Sequence, residues 1–462
     1  MLNERDLREV LEVALSHGGD FAEIFIEKKR NTGISLEADR IERIVSGVDV
    51  GAGIRVLVGE NTSYAYTNDI SKEGLKKVAA IVAKAGKESK KDVTINLKQI
   101  KYTTDLDIVK MPDSVSIDDK VELVKRANAA ARKFDKRIVQ VTAGYGDAVQ
   151  EVIIVNSLGE LVQDTRIRSR LLINSVASAG DVIQTGYEAV GGFAGFELFD
   201  NNVPEEMAEK AARRAVLMLE AKPAPAGKMP VVMAAEAGGT MVHEACGHGL
   251  EADLVQKNLS VYAGKIGQKV ASDIVTVIDD ATLKNKYGFL AIDDEGVPGQ
   301  KTVLIENGIL KDYMYDRLAA MKENRESTGN GRRESYQDRP IPRMTNTYIA
   351  PGKSDPKDII RSTERGLFVK KMGGGQVNTT TGEFVFDVAE GYLIKDGEIK
   401  EPVRGATLTG NGPEVLQKID MVGNDLGFAI GTCGKDGQGA PVSDAQPTIR
   451  IPELIVGGIL ND

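Results

Sequence analysis

Apolar positions recur first at helical spacing: Leu7, Val10, Leu11, Ala14 and Leu15 fall at i, i+3, i+4, i+7 and i+8, and Asn3 stands where an N-cap belongs. The period then shortens to two. Glu23-Ile24-Phe25-Ile26-Glu27, Gly33-Ile34-Ser35-Leu36, Arg40-Ile41-Glu42-Arg43-Ile44-Val45 and Ile54-Arg55-Val56-Leu57-Val58, separated by Gly, Asn and Asp, predict strands between Phe21 and Tyr66. A helix from about Ser71 to Lys84 follows, with Leu75, Val78, Ala79 and Val82 on one face. The order then recurs. Ser116, with Asp119 three residues on, opens a helix through Val121, Val124 and Ala131, and strands run from Val139 to Val190 with a turn at Asn156-Ser157-Leu158-Gly159. Pro204-Glu205-Glu206 starts a further helix carrying Met207, Ala211 and Met218. Helix, strands, helix, twice over, predicts a duplicated α+β unit, although the halves align too poorly for a sequence repeat.

Ala221-Lys222-Pro223-Ala224-Pro225-Ala226-Gly227-Lys228 breaks the pattern, because alternating prolines block helix and extend the chain. This linker predicts an N-terminal α+β domain over 1–222 and a C-terminal β-rich domain over 229–462. A chain of 462 residues with 42% hydrophobic content calls for at least two domains. The second begins with strand Pro230-Val231-Val232-Met233 and a helix, then turns to short strands such as Ile274-Val275-Thr276-Val277-Ile278, Thr302-Val303-Leu304-Ile305 and Phe384-Val385-Phe386. Asn307-Gly308 and Asp396-Gly397 are hairpin turns. A sandwich or barrel with a few attached helices is expected.

A net charge of −9 and a pI near 5.3, with no cluster of Lys and Arg, disfavour nucleic acid and anionic membranes as partners. No run of eighteen apolar residues and a charged start, Met1-Leu2-Asn3-Glu4-Arg5-Asp6, predict neither a membrane span nor a secretory signal. Two cysteines fit a reducing compartment, so a cytoplasmic location is expected.

Against this background one segment stands out. His243-Glu244-Ala245-Cys246-Gly247-His248 holds two of only three histidines, with a carboxylate beside the first. Neutral imidazoles bind zinc, and a neighbouring carboxylate can take a proton from metal-bound water and return it to a leaving amine. Three residues separate Glu244 from His248, one more than in the usual metallopeptidase motif. In a regular α-helix an i, i+5 pair points about 140° apart, so both rings reach one ion only across a π-bulge or a break, for which Gly247 is the natural place. Packed or capped histidines are the plain alternative; the scarcity of histidine, the Gly238-Gly239 approach, and Glu251 and Asp253 as supporting carboxylates weigh against it.

A catalytic zinc needs a third protein ligand and an open position. His17 reads as an ordinary helix C-terminal residue, and Cys246 competes with His248 for direction. Cys433, on a predicted glycine-flanked loop at Gly431-Thr432-Cys433-Gly434, is the stronger candidate, its alternative being a buried free thiol. Tyr262, Arg332, Arg333 and Tyr336 are oxyanion donors by residue type alone. Gly51-Ala52-Gly53 enters a strand and lacks the third glycine of a dinucleotide fingerprint. Met372-Gly373-Gly374-Gly375-Gln376 leads to no P-loop lysine; its accessible backbone suits an extended peptide pairing with a sheet edge, or is a plain bend.

The extended histidine motif with Gly249 and Glu251, the Gly-Gly-Gly-Gln-Val-Asn stretch at 373–378, Pro402-Val403-Arg404-Gly405-Ala406-Thr407 and Cys433 together resemble the TldD/PmbA family, also known as modulators of DNA gyrase. The resemblance spans almost the whole chain and, with the motif intact, points to the TldD side. It implies a cytoplasmic metallopeptidase that hydrolyses short or unfolded peptides, paired with a homologous TldE/PmbA-like subunit or with itself. It further implies one divalent metal, zinc or else iron, held by His243, His248 and Cys433, with Glu244 as general base toward a metal-activated water. The competing reading is a metal-containing regulatory module that acts on gyrase- or toxin-related partners without catalysis. A DNA-binding regulator is a weaker third, against the acidic pI.

Overall fold

The computed structural model describes residues 2–84, 95–101 and 108–458. Local signals near the N-terminus act as read. Helix α1 (Glu4–Ala14) begins with a reciprocal capping box between Asn3 and Asp6. Two long strands follow, β1 (Phe21–Glu37) and β2 (Arg40–Val58), then β3 (Asn61–Thr67) and α2 (Lys72–Ala83). The four short strands expected here are thus one continuous hairpin, β1 and β2, and β3 is a further strand. The glycines and polar residues read as separators lie inside paired backbone, from Phe21↔Leu57 to Glu37↔Arg40.

The second unit supplies β4 (Lys98–Lys101), α3 (Ile117–Phe134), β5 (Ile138–Asn156), β6 (Glu160–Ala179), β7 (Val182–Gly192), a short α4 (Leu198–Asn201) and α5 (Pro204–Glu220). Ser116 caps α3, and Pro204 opens α5 at its first turn. The two units join edge to edge through an antiparallel β1–β5 ladder, giving one sheet in the order β3-β2-β1-β5-β6-β4, with β7 on β6. Helices cover one face. Leu7, Leu11, Leu75 and Val78 pack on Ile24, Ile54 and Val56 of the first unit; Val124, Ala127, Ala208 and Ala211 pack on Val141, Ala143 and Ile173 of the second.

Alternation along β1 sends Ile24 and Ile26 to those helices and Glu23, Phe25 and Glu27 to the opposite face. That face is not solvent. Glu23 is fully buried and bonded by Arg55 Nη2 at 2.9 Å and Arg333 Nη2 at 2.5 Å; Arg55 also meets Glu295, and Arg166 meets Asp164 and Asp294. Burial acts to raise the Glu23 carboxyl, but Arg55 and Arg333 outweigh it and hold it below the ordinary glutamate value. Gly51 and Gly53 belong to the same contact: a Cβ on Gly51 would lie 2.2 Å from the Tyr336 ring, so the near-fingerprint marks close packing.

The expected linker is itself paired. Lys222–Pro223 forms a two-residue parallel bridge to Val403 and Arg404. Beyond it, Gly227–Met233, Ile449–Gly457, Thr407–Asn411, Glu383–Lys395 and Arg365–Val377 pair in turn, and the last returns to the first, so the sheet closes as a barrel. Asn307-Gly308 and Asp396-Gly397 form the two-residue hairpin turns expected of them, with positive φ at all four positions. A second sheet contains Val277–Asp280, Lys301–Glu306, Asn346–Ile349, Gln438–Gln446 and Gly427–Lys435. The fold is mixed α+β with a barrel-like C-terminal sheet.

Removing one member of the buried charge cluster strands the others. Glu23→Ala, which leaves Arg55 and Arg333 without it, should destabilise the chain by about 3–5 kcal/mol. Chemical denaturation checks this; an unchanged midpoint would mean that the cluster contributes nothing to stability.

Candidate metal centre

The histidine motif follows Gly238-Gly239 in a helical run that changes pitch. Thr240–Val242 is α-helical, His243–Gly247 forms a π turn, and His248–Leu250 tightens to 3-10. The His248 N–H bonds the His243 carbonyl, an i to i+5 link that adds one residue to the turn and sets His248 over His243. The two rings stand 4.9 Å apart, nearly perpendicular. Gly247 lies in this turn, where the irregularity was expected. Its φ of −52° and ψ of −59° are ordinary helical values, but a Cβ there would lie 2.2 Å from the buried Met344 Sδ. Space, not dihedral freedom, selects glycine.

Cys433 arrives from the second sheet. It lies on the strand Gly427–Lys435, paired with Ala440, and not on the loop expected of it. Arg343 bonds its carbonyl and that of Gln438, pinning the hairpin. Its Sγ is 3.5 Å from His248 Nε2, and the donor atoms of His243, His248 and Cys433 all lie within 4.8 Å of one another. Ligand bonds of about 2.0–2.3 Å in tetrahedral geometry give edges of about 3.4–3.6 Å, so this spacing fits a zinc-sized ion.

Each imidazole is oriented by a carboxylate. His243 Nδ1 lies 2.7 Å from Asp444 Oδ1, and His248 Nδ1 lies 3.1 Å from Glu251 Oε2, which turns both Nε2 atoms toward the thiol. Lys435 Nζ ties Glu251 at 3.1 Å to Asp253 at 2.6 Å, so the cysteine strand and the carboxylate behind His248 are joined by one side chain. Glu251 and Asp253 were legible as supporting groups. Asp444 and Lys435 were not, since their contacts with His243, Glu251 and Asp253 arise only from the tertiary packing of the hairpin.

Burial works against charge on the Cys433 thiol, but the His243 and His248 rings outweigh it and bring it down to about 5. Burial likewise opposes charge on His248, yet Glu251 and Cys433 lift it to about 9. A cation among these groups would take the place of the imidazole protons. Glu244 lines the same cleft, of roughly 580 Å³, and burial raises its carboxyl even though His243 and His248 pull the other way.

The remaining candidates lie elsewhere. His17 is exposed beside Ser16, and Cys246 points back to the Val242 carbonyl. The Tyr262 hydroxyl donates to the Ala245 carbonyl, Arg332 to the carbonyls of Met344 and Pro441, Arg333 to Glu23, and the Tyr336 N–H to Glu27. None of these bonds reaches the His/His/Cys cluster.

Family models of PmbA/TldA metallopeptidases match in succession: domain 1 at 22–86, the central domain at 110–219 and the C-terminal domain at 226–458. The chain is 40% identical to a metalloprotease TldD homolog of Buchnera aphidicola subsp. Schizaphis graminum, covering 99% of this chain and 96% of the relative. It is 38% identical to a metalloprotease TldD homolog of Haemophilus influenzae (99% and 97%) and 38% identical to a metalloprotease of Methanocaldococcus jannaschii (97% and 99%). Among solved structures, a Thermotoga maritima protein described in connection with DNA gyrase modulation superposes with a TM-score of 0.80 at 25% identity, covering 98% of this chain and all of that one. TldE from Thermococcus kodakarensis shares the fold with a TM-score of 0.77 at 23% identity, covering 98% and all.

In metal-free protein, alkylation of Cys433 should speed up as pH rises through about 5 and level off before neutrality, because the thiolate is the reactive form. Cys246, pushed up to about 12 by burial, should stay unmodified. Peptide mass spectrometry across a pH series reads both; a Cys433 midpoint in the ordinary thiol range would contradict the geometry.

Proposed function

Since the chain belongs to the TldD/PmbA family of metallopeptidases, we propose that it hydrolyses short or unfolded peptides at the His243, His248 and Cys433 cluster, with Glu244 as general base. The chief support is the donor set: two imidazoles and a thiol converge at ligand spacing, each imidazole is backed by a carboxylate, and a glutamate stands beside them in one cleft. A structural zinc more often has four Cys or His ligands; three leave a position free for chemistry. A divalent ion held there, zinc or else iron, supplies Lewis acidity toward water and toward the scissile carbonyl.

The chain's own residues do the rest. Glu244 accepts the proton of the attacking water and delivers it to the leaving amine. Asp444 and Glu251 hold the ring orientations, and Lys435 holds Glu251. Substrate backbone is received by strand pairing: Gln376 and Val377 line the cleft, and across 370–377 the strand Arg365–Val377 is paired on one side only among the described residues, its contact with Gly227–Met233 ending at Val369. Main-chain pairing reads no side chain, which suits unfolded substrates of varied sequence. The shared fold with a TldE structure supports a homologous subunit as partner, a second copy being the alternative; the cytoplasm is the proposed location. Among the described residues no helix is long and apolar enough to cross a membrane.

Glu244→Gln should lower kcat by about 10²–10⁴-fold while bound metal, measured by elemental analysis, stays at the wild-type level. Full activity in that variant would remove Glu244 from the mechanism. Wild-type activity should also fall as pH drops far enough to protonate Glu244, because the protonated carboxyl cannot act as base, and chelation should abolish it.

A further inference from the structure

A second cavity, of about 550 Å³, lies between the open face of the N-terminal sheet and the C-terminal domain. Arg166, Arg168 and Arg170 alternate along β6 and so point into it from one face. Their partners differ. Arg166 is neutralised by Asp164 and Asp294, whereas Arg168 bonds only the carbonyls of Tyr287 and Phe289, both at 2.9 Å, and its Nη1 has no protein partner among the described residues. Arg170 reaches only Thr432 Oγ1 at 3.5 Å. Arg332, on the opposite wall, bonds only carbonyls, of Met344 and Pro441.

The carboxylates on the wall are already engaged: Asp147 by Lys120 at 2.6 Å, Asp294 by Arg166 and the Arg333 N–H, Glu334 by the Gly439 N–H. Arg168 and Arg332 are 8% and 3% exposed, so two guanidiniums are held out of water with no carboxylate bonded to either among the described residues. Burial and then Arg166 pull Arg168 down to about 10; burial and then Arg168 pull Arg332 down to about 9. Thr432, next to Cys433, lines both this cavity and the metal-centre cleft, which makes them neighbours.

We propose that the cavity is a carboxylate subsite: a peptide held at the metal centre places a carboxylate, from an acidic side chain or from its own C-terminus, among Arg168, Arg170 and Arg332. This rests on the peptidase reading for the identity of the ligand as a peptide. Paired N–H donors of a guanidinium match a carboxylate, and the anion adds a directly bonded counter-charge to the more distant Asp164 and Asp294.

Four N-terminally labelled peptides of one unstructured sequence test it, with glutamates or glutamines at the same positions and the C-terminus free or amidated. Fluorescence anisotropy on the full chain with chelator present reads binding; hydrolysis by the metal-loaded chain is followed separately. The expected result is about tenfold tighter binding of a carboxylate-bearing peptide than of the neutral amidated glutamine peptide, with the preference lost in Arg170→Gln. A preference that follows the glutamates assigns the side-chain source; one that follows the free end assigns the C-terminus. Equal binding of all four peptides overturns the subsite, as does a preference that survives in folded Arg170→Gln; should that variant not fold, the wild-type ranking decides alone. Hydrolysis without preference sinks the subsite only, whereas preference without hydrolysis from any peptide sinks the peptidase reading and leaves the anion site standing.

Discussion

One added residue in one helical turn governs the site. With α-helical pitch between His243 and His248 the two rings would diverge; the i to i+5 bond brings them to perpendicular rings 4.9 Å apart. That turn must then be held against neighbours that fit it. Gly247 admits Met344, and the Tyr262 hydroxyl donates to the Ala245 carbonyl within the turn. The cluster is therefore a consequence of packing around a local irregularity, which is where helical irregularities tend to be kept for function.

The N-terminal sheet takes part in this at a distance. Its buried face carries carboxylates and arginines that bind the segments around Asp293–Glu295 and Arg332–Tyr336. Arg332 in turn joins the Met344 carbonyl, beside Gly247, to the Pro441 carbonyl, opposite Thr432 in the cysteine hairpin. Arg343 ties the Cys433 carbonyl. The segment that packs on the histidine helix, the cysteine hairpin and the N-terminal sheet are thus tied by guanidinium groups, whose rigid forks span several acceptors at once.

What could be read from sequence was what local physics determines. Asn3, Ser116 and Pro204 open their helices, and Asn307-Gly308 and Asp396-Gly397 turn their hairpins, because caps and type I′ turns depend on few neighbouring residues. The histidine spacing itself implied either a π turn or a break, and the π turn is present. Strand continuity was not legible: buried Glu23 and Glu27, and Gly51 and Gly53, interrupt the apolar pattern for the sake of a partner domain more than two hundred residues away. For the same reason Cys433 was expected on a loop, and Asp444 and Lys435 went unmarked. Their roles exist only once the hairpin is laid against the histidine helix.

The proposed base sits where two opposing demands balance. Burial acts to raise the Glu244 carboxyl, while His243 and His248 act to lower it. The balance leaves it raised above the ordinary glutamate value, the direction that makes a carboxylate a stronger base. A thiolate in the donor set acts in the same direction. Cys433 brings one negative charge to a cluster whose other two donors are neutral when they bind an ion, which lessens the pull of that ion on Glu244. In the proposed site, Cys433 in place of a third histidine would therefore temper the base as well as hold the ion.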